Sequence, residues 1–154
     1  MLAFVKLLIP FLILTGPKDC INRYPELDKR LFQHEATLGI PKGVIWSLIW
    51  TESHCDPNEV GDSGEIGLGQ VIPRDHGRGF PKSWFYDRPL RQELFDPRTN
   101  VDWTVTILYN NLKKYCRNDL ACALAVYNEG TRPTKKGYAY AWKIINLAQK
   151  EFYP

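Results

Sequence analysis

The sequence predicts one mostly α-helical domain with a small loop or β tongue beside a cleft, and three observations predict it. Apolar residues recur at helical spacing in several stretches, most of them bounded by glycine or proline. Residues 54–66 break that pattern with Asp, Asn, Gly and Pro and supply the loop or tongue. A chain of 154 residues that is 44% hydrophobic and 24% charged is long enough to bury a single core and shows no sign of disorder or of a second domain.

The N-terminus is apolar over residues 7–14, short of the roughly 20 residues of a membrane span but suited to the hydrophobic region of a secretory signal. Lys6 is the one charged side chain before it, and Gly16-Pro17 makes a poor cleavage site, so residues 1–16 read as a signal peptide or a weak retained anchor. The folded domain is then expected over residues 20–154. A buried helix here would carry Pro10 in its interior, which is costly. Lipidation at Cys20 is disfavoured, since Pro17-Lys18-Asp19 lacks the small residues it needs.

Four cysteines, Cys20, Cys55, Cys116 and Cys122, fit an exported chain with two disulfides and allow three pairings. Cys116 and Cys122 flank a turn, Arg117-Asn118-Asp119, that is cheap to close. Cys20 with Cys55 is then the second pair. Zinc is the competing use, but no C-x-x-C occurs and His34, His54 and His76 share no i,i+4 relation, so no metal and no cofactor are expected. The net charge of +3 suits approach to an anionic wall or membrane surface, and no aromatic-plus-basic module points to nucleic acid.

Residues 26–38 predict a helix with Leu27, Leu31 and Leu38 on one face, stopped by Gly39. Pro41 is expected at the first position of the next helix, whose Ile45, Leu48 and Ile49 recur at helical spacing. Glu52 falls at the next step. A glutamate so placed faces the core, and burial together with the negative end of the helix dipole should raise its pKa toward that of a general acid. A short helix is expected from Gly67, and residues 74–94 read as a long loop. In that loop Trp84, Phe85 and Tyr86 offer flat faces to a ligand or pack the loop itself.

Asp96 as N-cap and Pro97 at the first position open a helix with Val101, Val105, Leu108 and Leu112 inward. Lys113, Lys114 and Arg117 form its solvated end. Residues 120–127 predict an Ala-rich helix that packs closely through Ala121, Ala123 and Ala125 and ends in the polar pair Tyr127-Asn128. Residues 138–150 close the fold through Ala141, Ile144, Ile145 and Ala148.

Several blocks together carry a family resemblance. Glu52-Ser53, Pro57-Asn58, Gly64, Gly67-Leu68-Gly69-Gln70 and Pro73 are followed by Phe95-Asp96-Pro97 with Asn100-Val101, then Ala125-Val126-Tyr127-Asn128-Glu129-Gly130, then Tyr140. In this order they resemble the signature of the soluble-lytic-transglycosylase type, relatives of goose-type lysozyme, over residues 26–148. Cys55, Gly61 and Gly69 depart from that pattern, standing where the family has an aromatic, often a serine, and a methionine. Glu65 and Glu129 replace alanines and add two carboxylates near the presumed cleft.

The resemblance implies a lysozyme-like fold acting as a monomer on peptidoglycan glycan strands, with Glu52 as general acid and then base. It implies substrate contacts from Ser53, Leu68, Gly69, Gln70, Tyr127, Asn128 and Tyr140. Arg132, Lys135 and Lys136 then read as a solvated loop or as contacts for peptide-stem carboxylates. The implied reaction cleaves the bond between N-acetylmuramic acid and N-acetylglucosamine with formation of a 1,6-anhydro ring. The alternatives are hydrolysis on the same scaffold, and a weakly catalytic glycan-binding assembly protein of a phage particle or secretion machine. An exported protein, periplasmic or extracellular, with at most a weak membrane association is expected.

Overall fold

The computed structural model describes residues 15–77 and 85–153, and the apolar N-terminal run and Trp84 lie outside them. Among the described residues the chain forms six α-helices: α1 Pro17–Arg23, α2 Pro25–Leu38, α3 Val44–Ser53, α4 Pro97–Asn110, α5 Leu120–Glu129 and α6 Lys135–Phe152. A 3₁₀ turn, Arg91–Phe95, precedes α4, and a π-helical turn, Asn111–Tyr115, continues it.

The centre of the molecule is α3. Val44, Ile45, Trp46, Ser47, Leu48 and Ile49 are all buried, so this helix has no solvent face over its first turns and must be surrounded. Helices α1, α2 and α6 pack around it, and α5 packs along α6. Trp46 donates its indole N–H to Asp28 Oδ1 on α2 at 2.9 Å, which satisfies the one polar atom of a side chain otherwise in the core.

The start of α3 differs from the sequence expectation. Pro41 lies before the helix, in a turn, and Gly43 in the left-handed region (φ 87°) is the N-cap. Its side-chain cap comes from elsewhere: the buried Glu35 of α2 accepts from Gly43 N at 2.9 Å and Ile45 N at 2.8 Å. A carboxylate at a helix N-terminus satisfies orphan donors and meets the positive end of the dipole. Burial nevertheless pushes the Glu35 pKa up to about 6 against the opposing pull of those two N–H groups.

Helix α2 ends as predicted at Gly39 (φ 69°), and α4 opens as predicted, with Asp96 Oδ2 accepting from Thr99 N at 2.7 Å. Val101, Val105, Leu108 and Leu112 all face the core. Helix α1 was not predicted, because its seven residues carry no apolar periodicity to reveal it. Helix α6 begins at Lys135, ahead of the expected start, because the Glu129 carboxylate holds Thr134 N at 2.7 Å and Gly137 N at 3.0 Å. Cys20 is bonded to Cys55 and Cys116 to Cys122, as the spacing suggested.

The expected short helix from Gly67 does not form. Residues 67–70 make a turn, with Gln70 N donating to Gly67 O at 3.0 Å, between the bridge partners Ile66 and Val71. A second bridge, Val60 to Ile66, completes a β tongue reduced to isolated pairs. Under this tongue lies a small second core, Ile66, Val71 and Leu94, with Phe95, Trp103 and Ile107 packed on it. Two cores with the turn between them leave a cleft.

Replacing Glu35 by alanine strands two buried N–H donors at the head of α3 and should destabilise the protein by about 2 to 3 kcal/mol in urea unfolding. Glu35→Gln keeps one acceptor and should cost about half as much.

Candidate active site

A cleft of about 290 Å³ opens between the helical body and the tongue. Glu52, Tyr127 and Asn128 line it from the helical side, Glu65, Gln70, Ile72 and Arg88 from the loop side, and Ile107 from α4. Glu52 sits in the last turn of α3, partly exposed to this cleft and otherwise enclosed.

The Glu52 pKa is pushed up to about 7, first by burial, which penalises the charged carboxylate, and further by the negative charge of Glu65 across the cleft. The Tyr140 hydroxyl, which donates to Glu52 Oε1, and the Lys143 ammonium pull the other way. With Oε1 accepting from Tyr140, the acidic proton belongs on Oε2. The result is a carboxylic acid held in one orientation and half-protonated near neutral pH, as a general acid requires.

The turn facing Glu52 is held from behind by side chains rather than by its own sequence. Asn100, fully buried on α4, accepts from Gly69 N at 2.8 Å and donates to Ile66 O at 2.7 Å and Leu94 O at 2.9 Å. Ser53 donates to Leu68 O at 2.8 Å, and Tyr127 donates to Gly69 O at 2.6 Å. Gly67 (φ 72°) is required twice over, since a Cβ there would lie 2.5 Å from Asn100 Nδ2 and 2.8 Å from Leu94 O. The departure from the family pattern at Gly69 has a local reason too. A Cβ at that position would meet Thr104 Oγ1 at 1.8 Å.

Of the residues expected to touch substrate, Gln70, Tyr127 and Asn128 line the cleft with Glu52, and Tyr140 reaches it through the Glu52 carboxylate. The Ser53 and Leu68 side chains are buried behind the cleft wall, where Ser53 holds the turn through Leu68 O. Gly69 contributes its backbone. Burial and the nearby Glu52 charge raise the Tyr127 and Tyr140 pKa values, which keeps both phenols protonated as donors.

Glu129, counted in sequence as a cleft carboxylate, is occupied in capping α6 and does not line the cleft, whereas Glu65 does. Asp56 closes its own turn by accepting from Asn58 N at 2.9 Å. Arg88 was missed. Its guanidinium donates to Ile72 O at 3.2 Å and lies 5.0 Å from the Phe85 ring centroid, so Phe85 carries an arginine in the cleft wall while Tyr86 is exposed. Nothing in the sequence distinguished Arg88 from the other arginines of that loop. Asn100 belongs to the Asn100-Val101 block, which by itself assigns it no role. Among the described residues no group of His, Cys, Asp or Glu is arranged to hold a metal ion.

Two measurements test this geometry. Asn100→Ala strands one N–H and two carbonyls behind the turn and should cost about 3 kcal/mol in urea unfolding, with a loss of activity beyond the fraction unfolded. A raised carboxyl pKa means that folded protein holds its proton over a range where unfolded chain has lost it, so wild type loses stability as pH rises from about 4.5 to about 7. Glu52→Gln removes that penalty. Its melting temperature should match wild type at acid pH and exceed it above pH 7, by no more than about 3 kcal/mol in stability.

Residues 30–146 match the transglycosylase SLT domain family. The chain is similar to the membrane-bound lytic murein transglycosylase E of Buchnera aphidicola, 27% identical over 173 aligned residues that cover 94% of this chain and 78% of that protein. It is also similar to the membrane-bound lytic murein transglycosylases C of Mannheimia succiniciproducens, 31% identical over 73% of this chain, and of Actinobacillus pleuropneumoniae, 36% identical over 66% of it. It spans 35% and 25% of the lengths of those two relatives. The matched span encloses every residue that lines the cleft, and with more than half of its length matched this chain belongs to the transglycosylase SLT domain family.

Proposed function

We propose that this protein is a peptidoglycan lytic transglycosylase that cleaves the β-1,4 bond between N-acetylmuramic acid and N-acetylglucosamine and forms 1,6-anhydromuramic acid. The observation that carries the reading is Glu52, a cleft carboxyl whose pKa burial raises to about 7, held by Tyr140 in a wall built from the family's motif. Its Oε2 proton goes to the glycosidic oxygen as the bond from that oxygen to the muramic C1 breaks, and positive charge develops on the ring. The muramic C6 hydroxyl then attacks C1, and its proton returns to the Glu52 carboxylate. In this reading Gln70, Asn128 and Arg88, polar groups that line the cleft, orient the sugars, and Tyr127 holds the wall they line. The relatives' names, the apolar residues 7–14 and the two disulfides support export to a compartment where wall is accessible, with or without an anchor.

Glu65 favours a second reading. It lines the same cleft and its charge is felt by Glu52, so it is a second carboxylate available to activate water for hydrolysis.

Glu52→Gln should retain the fold and lose at least about a hundredfold in wall-clearing rate; a loss within about tenfold, or ~1.4 kcal/mol of barrier, would remove Glu52 from the mechanism. Because Glu52 must carry its proton, the wild-type rate should fall as pH rises through about 7. Mass spectrometry of digests treated with borohydride decides between the two reactions. Anhydro products are not reducible and weigh about 20 Da less than a reduced muropeptide, whereas a majority of reducible muramic ends means hydrolysis and makes Glu65→Gln the informative variant.

A further inference from the structure

A second groove, about 390 Å³, opens between the end of α3 and α6. Trp50, Thr51 and His54 line it from α3 and its C-cap, and Lys143, Asn146, Leu147 and Lys150 from α6. Tyr140, Lys143, Leu147 and Lys150 recur at spacings of three, four and three, so one face of α6 leads from the tyrosine that holds Glu52 into this groove. The two sites adjoin: Lys143 lines the groove, and its charge is felt at Glu52.

The floor of the groove is apolar. Trp50 meets the His54 ring edge-on at 4.7 Å, and Leu147 faces them from α6. Its rim carries two ammonium groups, and among the described residues neither Lys143 nor Lys150 is in an ion pair. Thr51 and Asn146 add short polar groups that can meet amides. A ligand that complements all of this has short aliphatic side chains, peptide groups and more than one carboxylate. A glycan strand without stems offers only the single lactyl carboxylate of each muramic acid, whereas a peptide stem offers several carboxylates spaced along aliphatic and amide segments.

We propose that the groove between the end of α3 and α6 is a subsite for the peptide stem of peptidoglycan, with Lys143 and Lys150 receiving its carboxylates and Trp50 and Leu147 its aliphatic segments. This rests on the peptidoglycan reading of the Glu52 cleft and adds to it a preference for strands that still bear stems. The charge of the rim makes that preference sensitive to salt, since exposed pairs are screened over about 10 Å at 0.1 M.

The test uses Glu52→Gln protein, which binds without turnover, and two probes followed by tryptophan fluorescence: a stem-bearing tetrasaccharide of N-acetylglucosamine and N-acetylmuramic acid, and the same tetrasaccharide after an amidase has removed its stems. The stem-bearing probe should bind about tenfold more tightly. That advantage should disappear in Glu52→Gln/Lys150→Glu, persist with Lys150→Arg, and survive Lys114→Glu, an equal charge change at the exposed end of the π-helical turn. Equal binding of the two probes, or an advantage that survives Lys150→Glu, overturns the subsite while leaving the glycan reading standing. Failure of both probes to bind overturns both.

Discussion

A helix apolar on every side has one stable place in a small domain, and the burial of α3 organises everything around it. Its head cannot be hydrated, so a buried carboxylate from α2 supplies the cap, and its tail emerges at the cleft, which leaves Glu52 both enclosed and accessible. Burial that stabilises the helix is therefore the same physical cause that lifts the Glu52 pKa. A more open helix end would leave an ordinary glutamate, fully ionised at neutral pH and without a proton to give.

Opposing electrostatics keep that acid in range. Enclosure and the Glu65 charge favour the protonated form, while Tyr140 and Lys143 favour the ionised one, and the balance falls near neutrality. In the proposed reaction the same glutamate gives a proton in one step and accepts one in the next. Neither form can be overwhelmingly favoured if both steps are to proceed.

Much of the polar chemistry near the cleft is structural. Asn100, Ser53 and Tyr127 all hydrogen-bond the backbone of residues 66–69, and Glu129 caps the start of α6. A turn without a regular ladder has unsatisfied backbone groups on its buried side, and side chains must meet them. The rigidity of the wall opposite Glu52 follows from that requirement, as does the exclusion of Ser53 and Leu68 from the cleft surface.

Helical periodicity, the caps at Gly39 and Asp96 and the closure of the Cys116–Cys122 turn are local properties, and the sequence by itself determined them. The candidate acid is legible locally too: Glu52 follows three apolar residues on one helical face, inside the span that matches the family. Long-range contacts decided the rest. Whether Pro41 or Gly43 begins α3 depends on Glu35, eight residues before that glycine, and whether residues 67–70 coil or turn depends on Asn100, thirty-one residues after Gly69. Two glutamates that look alike in sequence, Glu65 and Glu129, part company because one meets the backbone of α6 and the other faces Glu52. Arg88 enters the wall only because the loop folds back to place it over Phe85. Composition and spacing encode which segments bury an apolar face; which polar group meets which backbone atom is fixed only when those faces have packed.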